Sequence, residues 1–194
     1  MKQPMSEGFF DEQTFENLNH SDTPLSAGVY EYCTFRNCNF AAADLSGIRF
    51  IETSFIECDL SNAKLVKTSF QEVTFSECKM LGLQFETCNA LGFSATFDRC
   101  RLNHSTFFQM KLDRFAFTDS QLQGVDFTGA SLINATLRQC DLLDATFERT
   151  DLQHADLTGS FNYTMDPELN RHKGARFSLS GVTGLLDKYQ IEIE

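Results

Sequence analysis

A bulky apolar residue returns at every fifth place over most of this chain. From Phe35 the series runs Phe40, Leu45, Phe50, Phe55, Leu60, Leu65, Phe70, Phe75, Met80, Phe85 and Ala90. After a slip of two residues it resumes at Phe97 and continues through Leu102, Phe107, Leu112, Phe117, Leu122, Phe127, Leu132, Leu137, Leu142, Phe147, Leu152 and Leu157; all but Met80 and Ala90 are Phe or Leu. A second, mainly small series stands two places earlier, as in Cys33, Cys38, Ala43, Cys58, Ala63, Ala130, Ala135 and Ala155. An α-helix turns about 100° per residue, so five steps spiral the bulky residues around it. A straight strand alternates sides at each residue, so an offset of five throws the next pair to the opposite face. What satisfies both offsets is a short extended stretch with two inward residues, followed by a turn at the next two places. Repeated turns of one hand wind the chain into a coil whose narrow interior stacks large rings along its axis and small side chains in its corners.

These residues resemble the pentapeptide-repeat family, whose pattern is A-(D/N)-L-x-x: Ala43-Asp44-Leu45-Ser46-Gly47, Ala155-Asp156-Leu157-Thr158-Gly159 and Cys140-Asp141-Leu142-Leu143-Asp144. The resemblance implies an all-β, right-handed, quadrilateral parallel β-solenoid with four pentads per coil and a short C-terminal capping or dimerisation helix. The expected organisation is an irregular N-terminal coil over 1–30, a solenoid over 31–160 with its phase slip near 90–94, and a C-terminal cap over 161–194. Val182, Leu185, Leu186 and Tyr189 fall at helical spacing, which predicts a helix over about 180–189, and Gln190 to Glu194 alternates as a terminal strand. In the resembling family such a helix packs on its twofold mate, so these four residues are the candidate dimer interface.

The chain carries 27 acidic and 16 basic residues, a net charge of −11. That balance disfavours direct binding to nucleic acid or anionic lipid and points to a protein partner with a basic groove. The candidate contacts are Glu52, Glu57, Asp59, Glu72, Glu77, Asp119, Asp126, Asp141 and Asp144. The columns Glu52/Glu72 and Glu57/Glu77 repeat negative charge along the axis; the alternative reading of Glu52, Glu57, Asp59, Glu72 and Glu77 is a solvated outer face, and of Asp44, Asp126, Asp141 and Asp156 turn stabilisation. Arg99, Arg101, Lys111 and Arg114 make the middle of the chain basic.

All seven Cys occupy the small inward place and read as buried, reduced structural thiols, with Cys38, Cys58 and Cys78 twenty apart and hence in one column. Phosphate loops, nucleophile elbows and metal-ligand motifs do not occur in the sequence, which argues for no catalytic site, no cofactor and no metal. Lacking an 18-residue apolar run, or a basic then hydrophobic start over Met1 to Phe10, the chain is expected to be soluble and cytoplasmic. The layout, including Cys78-Lys79-Met80-Leu81-Gly82 and Phe177 to Glu194, is similar to bacterial proteins that protect DNA gyrase from quinolones, albicidin or microcin. That resemblance implies a DNA mimic acting on a type II topoisomerase; the alternative is an interaction scaffold for another partner.

Overall fold

Left-handed residues set the corners. Two places after each bulky inward residue the backbone repeatedly takes positive φ, as at Asn37 (50°), Gly47 (74°), Glu57 (54°), Asn62 (55°) and Asp144 (57°). For a residue with a Cβ that conformation costs roughly 1–2 kcal/mol. The cost is offset because the corner amide binds the adjacent coil: Glu52 N–H donates to Gln71 O at 2.8 Å and Glu57 N–H to Ser76 O at 2.9 Å. At many corners a β-turn completes the bend, with Ile48 N–H donating to Leu45 O (3.2 Å) and Ala63 N–H to Leu60 O (3.1 Å).

The computed structural model describes residues 8–192. They form a right-handed, four-sided parallel β-solenoid of about 8 turns. At about 4.8 Å per coil this is a rod roughly 40 Å long. One side is a four-stranded parallel sheet of β1 (Gly8–Asp11), β3 (Gly28–Glu31), β5 (Arg49–Ile51) and β7 (Ser69–Gln71). The next side is a nine-stranded parallel sheet running the length of the rod. Its strands are β2 (Thr14–Glu16), β4 (Thr34–Arg36), β6 (Ser54–Ile56), β8 (Val73–Ser76), β9 (Ala95–Asp98), β10 (Ala116–Thr118), β11 (Thr136–Arg138), β12 (Asp156–Leu157) and β13 (Arg176–Phe177). The other sides are joined by single bridges such as Asn39 to Asp59 and Asp44 to Lys64. Partners lie twenty residues apart, so Phe35 pairs with Phe55 and Phe55 with Phe75.

Inside, the rings stack as the rhythm requires. Phe35, Phe55, Phe75, Phe97 and Phe117 form one column with centroids 4.9–5.3 Å apart and planes within 18° of parallel. Rings of adjacent columns meet edge to face, as Phe107 does with Phe117 (5.7 Å, 79°). The thiols do more than fill corners. Cys58 Sγ donates to Phe35 O (3.4 Å) and accepts the amide of Cys38 (3.4 Å), and Ser120 and Ser160 accept the amides of Cys100 and Cys140 in the same way. The small place is therefore one at which Cys, Ser and Thr add hydrogen bonds that Ala, which fits by size alone, does not make.

Three expectations need correction. The N-terminal coil is regular over 8–19, where β1 and β2 pair in register with β3 and β4 and Asn19 bridges to Asn39, while 20–27 holds no strand and no left-handed corner. Residues 1–7, part of the Met1 to Phe10 start, lie outside the described residues. The segment over 180–189 is two turns of 3-10 helix, Val182–Leu185 and Asp187–Tyr189, instead of an α-helix. Gly184 explains the change, since a Cβ there would lie 1.9 Å from Tyr163 O, so the chain is pressed against the rod at a residue of poor helix propensity. Gln190 to Glu192 is not a strand, Gln190 being left-handed; residues 193–194 lie outside the described residues. No helix among the described residues is long and apolar enough to cross a membrane.

The phase slip is a two-residue bulge. Register jumps to twenty-two at Val73 to Ala95, and Leu91 stands 80% exposed on the excess. Phe93, outside the five-place series, turns inward and stacks on Phe115 (5.5 Å, 11°).

Candidate interaction surface

Four of the candidate glutamates are brought together. Glu52 and Glu57 flank β6, Glu72 and Glu77 flank β8, and the Phe55 to Phe75 register sets each pair beside the other. All four are exposed left-handed corners, so their carboxylates bracket one stretch of the nine-stranded sheet, two per edge. Each row continues toward the N-terminus by steps of twenty, one through Tyr32 and Glu12, the other through Asn37 and Asn17. The adjacent Glu52 carboxylate, through hydrogen bonding first and charge second, holds the Tyr32 phenol above its usual range.

The rows end in cations. Arg99 follows Glu77 on one edge and reaches back to its carboxylate at 2.9 Å. Arg114 stands on the other edge, past Ser94, whose hydroxyl accepts the Glu72 amide at 3.3 Å. Asp119 resumes the first row beyond Arg99. Such exposed pairs are worth about 0–1 kcal/mol, so Arg99 reduces local charge more than it adds stability.

The remaining candidates lie elsewhere. Asp59 sits around the corner on the third side, paired with Lys79 at 2.9 Å and capping the Ser61 amide at 2.9 Å. Burial pushes its carboxyl up, but Ser61 and Lys79 outweigh that and hold it below the usual range. Asp141 occupies the same side and accepts from Gln123 Nε2 (2.5 Å) and Asn162 Nδ2 (2.8 Å). Asp126 is on the fourth side, capping the Thr128 amide at 2.8 Å, and Asp144 is a left-handed corner. The turn-stabilising reading thus holds geometrically for Asp44, Asp126, Asp141 and Asp156, each of which accepts the amide two residues on. Sequence reasoning missed one cluster, Asp156 held by Arg138 (2.8 Å from Nε) and Arg176 (3.5 Å), because Asp156 reads there only as a turn residue; the twenty-residue step to Arg176 was the available signal.

At the C-terminal end Leu185 packs against the rod's core, Val182 and Leu186 are half-buried, and Tyr189 is 49% exposed. A 3-10 turn does not align these four on one stripe. The segment is pinned by Lys188, whose ammonium lies 2.7 Å from both Asp166 and Glu168, while the Tyr189 hydroxyl donates to Glu168 at 3.0 Å. Among the described residues no group of three or more His, Cys, Asp or Glu is placed to hold a metal ion.

The geometry defines a repeat rod with a carboxylate-edged sheet. The sequence profile of the family described as "Pentapeptide repeat region" matches residues 30–93 and 83–157, together well over half of the chain. The chain belongs to the pentapeptide-repeat family. Among solved structures it is similar to a trypsin-treated variant of QnrB1, a plasmid-mediated fluoroquinolone resistance protein. Identity there is 20%, the match covers 97% of this chain and 98% of that one, and the TM-score is 0.61. HetL, a pentapeptide repeat protein involved in heterocyst differentiation regulation from the cyanobacterium Nostoc sp. strain PCC 7120, matches over 86% of this chain and 84% of its own at 19% identity and a TM-score of 0.40. No curated protein sequence matches the chain.

Proposed function

We propose that this chain is a non-enzymatic, cytoplasmic interaction rod that mimics DNA and binds the basic groove of DNA gyrase or another type II topoisomerase. Gyrase as partner comes from the sequence resemblance to the gyrase-protecting proteins; the fold likeness to QnrB1 supports the shape of the rod. The carrying observation is the bracket of Glu52, Glu57, Glu72 and Glu77, two carboxylate rows along one sheet of a protein of net charge −11. Their spacing of about 4.8 Å along each edge is of the order of the 3.4 Å axial rise of phosphates along one DNA strand. A groove that attracts phosphate rows attracts such rows by the same charges. In this reading the rod pairs with a second copy at its C-terminal end through Val182, Leu185, Leu186 and Tyr189, of which Tyr189 is the most exposed and Leu185 also packs on its own core.

A second reading is favoured by one observation. Arg99 and Arg114 close the rows after the second strand, leaving a short acidic patch suited to a smaller basic partner than a DNA groove. Purified protein added to a gyrase supercoiling assay, with and without a quinolone, separates the two. Inhibition of supercoiling, or rescue of the poisoned enzyme, supports mimicry; neither effect at tenfold molar excess removes gyrase as the partner and leaves the scaffold.

A further inference from the structure

The two ends of the rod differ. At the C-terminal end Leu185 packs on the core, whereas at the N-terminal end β1 and β2 are the outermost strands of the two sheets. The ladder bonds show what that leaves. Asn39 uses both its backbone groups on the coil before it, its N–H donating to Leu18 O (2.8 Å) and its O accepting from His20 N (2.7 Å). Asn19, its partner twenty residues earlier, and Thr14, at the same place on β2, have no preceding coil among the described residues, so their N–H and C=O groups point off the end. The rings stop in the same way. Phe15 stacks on Phe35 (4.8 Å, 13°) and His20 on Phe40 (5.1 Å, 12°), each through one face among the described residues, while Phe35 is covered on both faces by Phe15 and Phe55. Phe15 is half-buried where Phe35 is fully buried, and Leu18 is 39% exposed.

Charge decides what strand can complete this edge. Residues 8–30 hold four acidic residues, Asp11, Glu12, Glu16 and Asp22, all exposed, and no Lys or Arg. Arg36, on the next coil, stands 3.8 Å from Glu16, an exposed pair worth about 0–1 kcal/mol, so the end as a whole stays acidic. Such an end repels a second copy of itself and attracts a basic chain. We infer that a partner protein lays an extended basic–apolar–basic segment beside β2 as the next parallel strand, its apolar side chain on the Phe15 ring, one cation beside Glu16 and the other toward Glu12. Backbone bonds along the edge supply affinity, and the alternating side chains select the sequence. This edge lies two strands before β6 in the sheet, and the inference does not rest on the DNA-mimic reading.

The test follows the backbone amides of the full, isotope-labelled chain by nuclear magnetic resonance while acetylated, amidated pentapeptides are added: Thr-Lys-Phe-Lys-Thr, Thr-Glu-Phe-Glu-Thr, and the lysine peptide N-methylated at its phenylalanine. In the chain alone the Thr14 amide should exchange rapidly with solvent, and that of Thr34, which donates to Gln13 O at 2.8 Å, far more slowly. The lysine peptide should shift and protect the Thr14 amide, with saturation in the millimolar range, and the glutamate peptide should bind about tenfold more weakly. The N-methylated peptide should not protect it, because the phenylalanine amide of the added strand would donate to Thr14 O as His20 donates to Asn39 O. Thr14→Pro removes an N–H that faces solvent at the first residue of an edge strand, so it should fold with an unchanged melting temperature and lose the response, read at the Phe15 amide. Glu12→Gln together with Glu16→Gln should weaken binding severalfold. A Thr14 amide already protected in the chain alone, by another stretch of it or by a second copy, would overturn the assignment. So would no shift, equal binding of the glutamate peptide, protection by the N-methylated peptide, or a full response from Thr14→Pro. A chain with Glu52, Glu57, Glu72 and Glu77 all changed to Gln should keep the response whatever its effect on gyrase, which separates failure here from failure of the gyrase reading; loss of the response in that chain would place the peptide on the bracket and overturn the assignment.

Discussion

Truncating Phe117 to alanine should cost the rod about 3–5 kcal/mol, at the upper part of the range for buried rings. The residue is fully buried. Its ring lies 4.9 Å from Phe97 and only 4° from parallel, and it meets Phe107 and Phe127 edge to face at 5.7 and 6.0 Å. Each such pair contributes about 0.5–1.5 kcal/mol beyond burial. A globular core recovers part of such a loss by collapsing into the void, but here coil spacing is fixed by backbone ladders on both sides of the ring. The cavity therefore stays open. Phe117→Leu, which the repeat accepts at this place, should cost only about 1–2 kcal/mol. Urea unfolding followed by far-ultraviolet circular dichroism measures both variants. Because each coil contacts only its neighbours, Phe117→Ala should also split the transition, with the two halves of the rod melting apart. A loss below about 1 kcal/mol for Phe117→Ala, or a larger loss for leucine than for alanine, would refute the packing argument.

Three other perturbations bear on separate parts of the rod. The seven thiols are buried, so a thiol reagent at neutral pH should label almost none of them until urea is added; at Cys88 and Cys140 burial also pushes the thiol up, to about 12 and 11. Gly184→Ala should release the C-terminal turns and lower the melting temperature by several degrees, because its Cβ would collide with Tyr163 O. For Asp156, burial raises the carboxyl, but bonds to Thr158 and Arg138 outweigh it and the folded pKa lies below the ordinary value. Its contribution is thus complete above the unfolded carboxyl pKa of about 3.9 and is lost as pH falls through the folded value. Asp156→Asn should be less stable than the parent at pH 7, and the gap should close in acid titration of unfolding.

The five-place rhythm carried the architecture because each inward place is decided locally by size, and the Phe, Leu and Cys series all lie inside. The left-handed corner was harder to read. Glu52, Glu57, Lys67 and Arg99 occupy it although their side chains give no sign of the conformation; the ladder bonds of neighbouring coils impose it. Phe93 escaped the pattern for a related reason: the two extra residues let a ring outside the series fill the slot that Ala90 leaves. The acidic candidates were chosen by charge, and Glu52/Glu72 and Glu57/Glu77 also by their twenty-residue columns. Glu52, Glu57, Glu72 and Glu77 converge because their spacings of five and twenty are the period of a side and of a coil. Asp59, Asp126, Asp141 and Asp144 do not join them, since their places in the pentad or coil put them on other sides. The C-terminal spacing of Val182, Leu185, Leu186 and Tyr189 suited a helix, but the close approach of Gly184 to Tyr163 is a tertiary contact that no spacing reveals.

The central claim, that two carboxylate rows let the rod stand in for DNA, is tested most directly by the salt dependence of gyrase binding to the parent and to a variant with Glu52, Glu57, Glu72 and Glu77 all changed to Gln. If the rows are the contact, the parent's affinity should fall steeply with salt, and the variant should bind more weakly with a log–log slope reduced by about two to four. Equal affinity and equal slope for the two proteins, with both folded by circular dichroism, would contradict the claim.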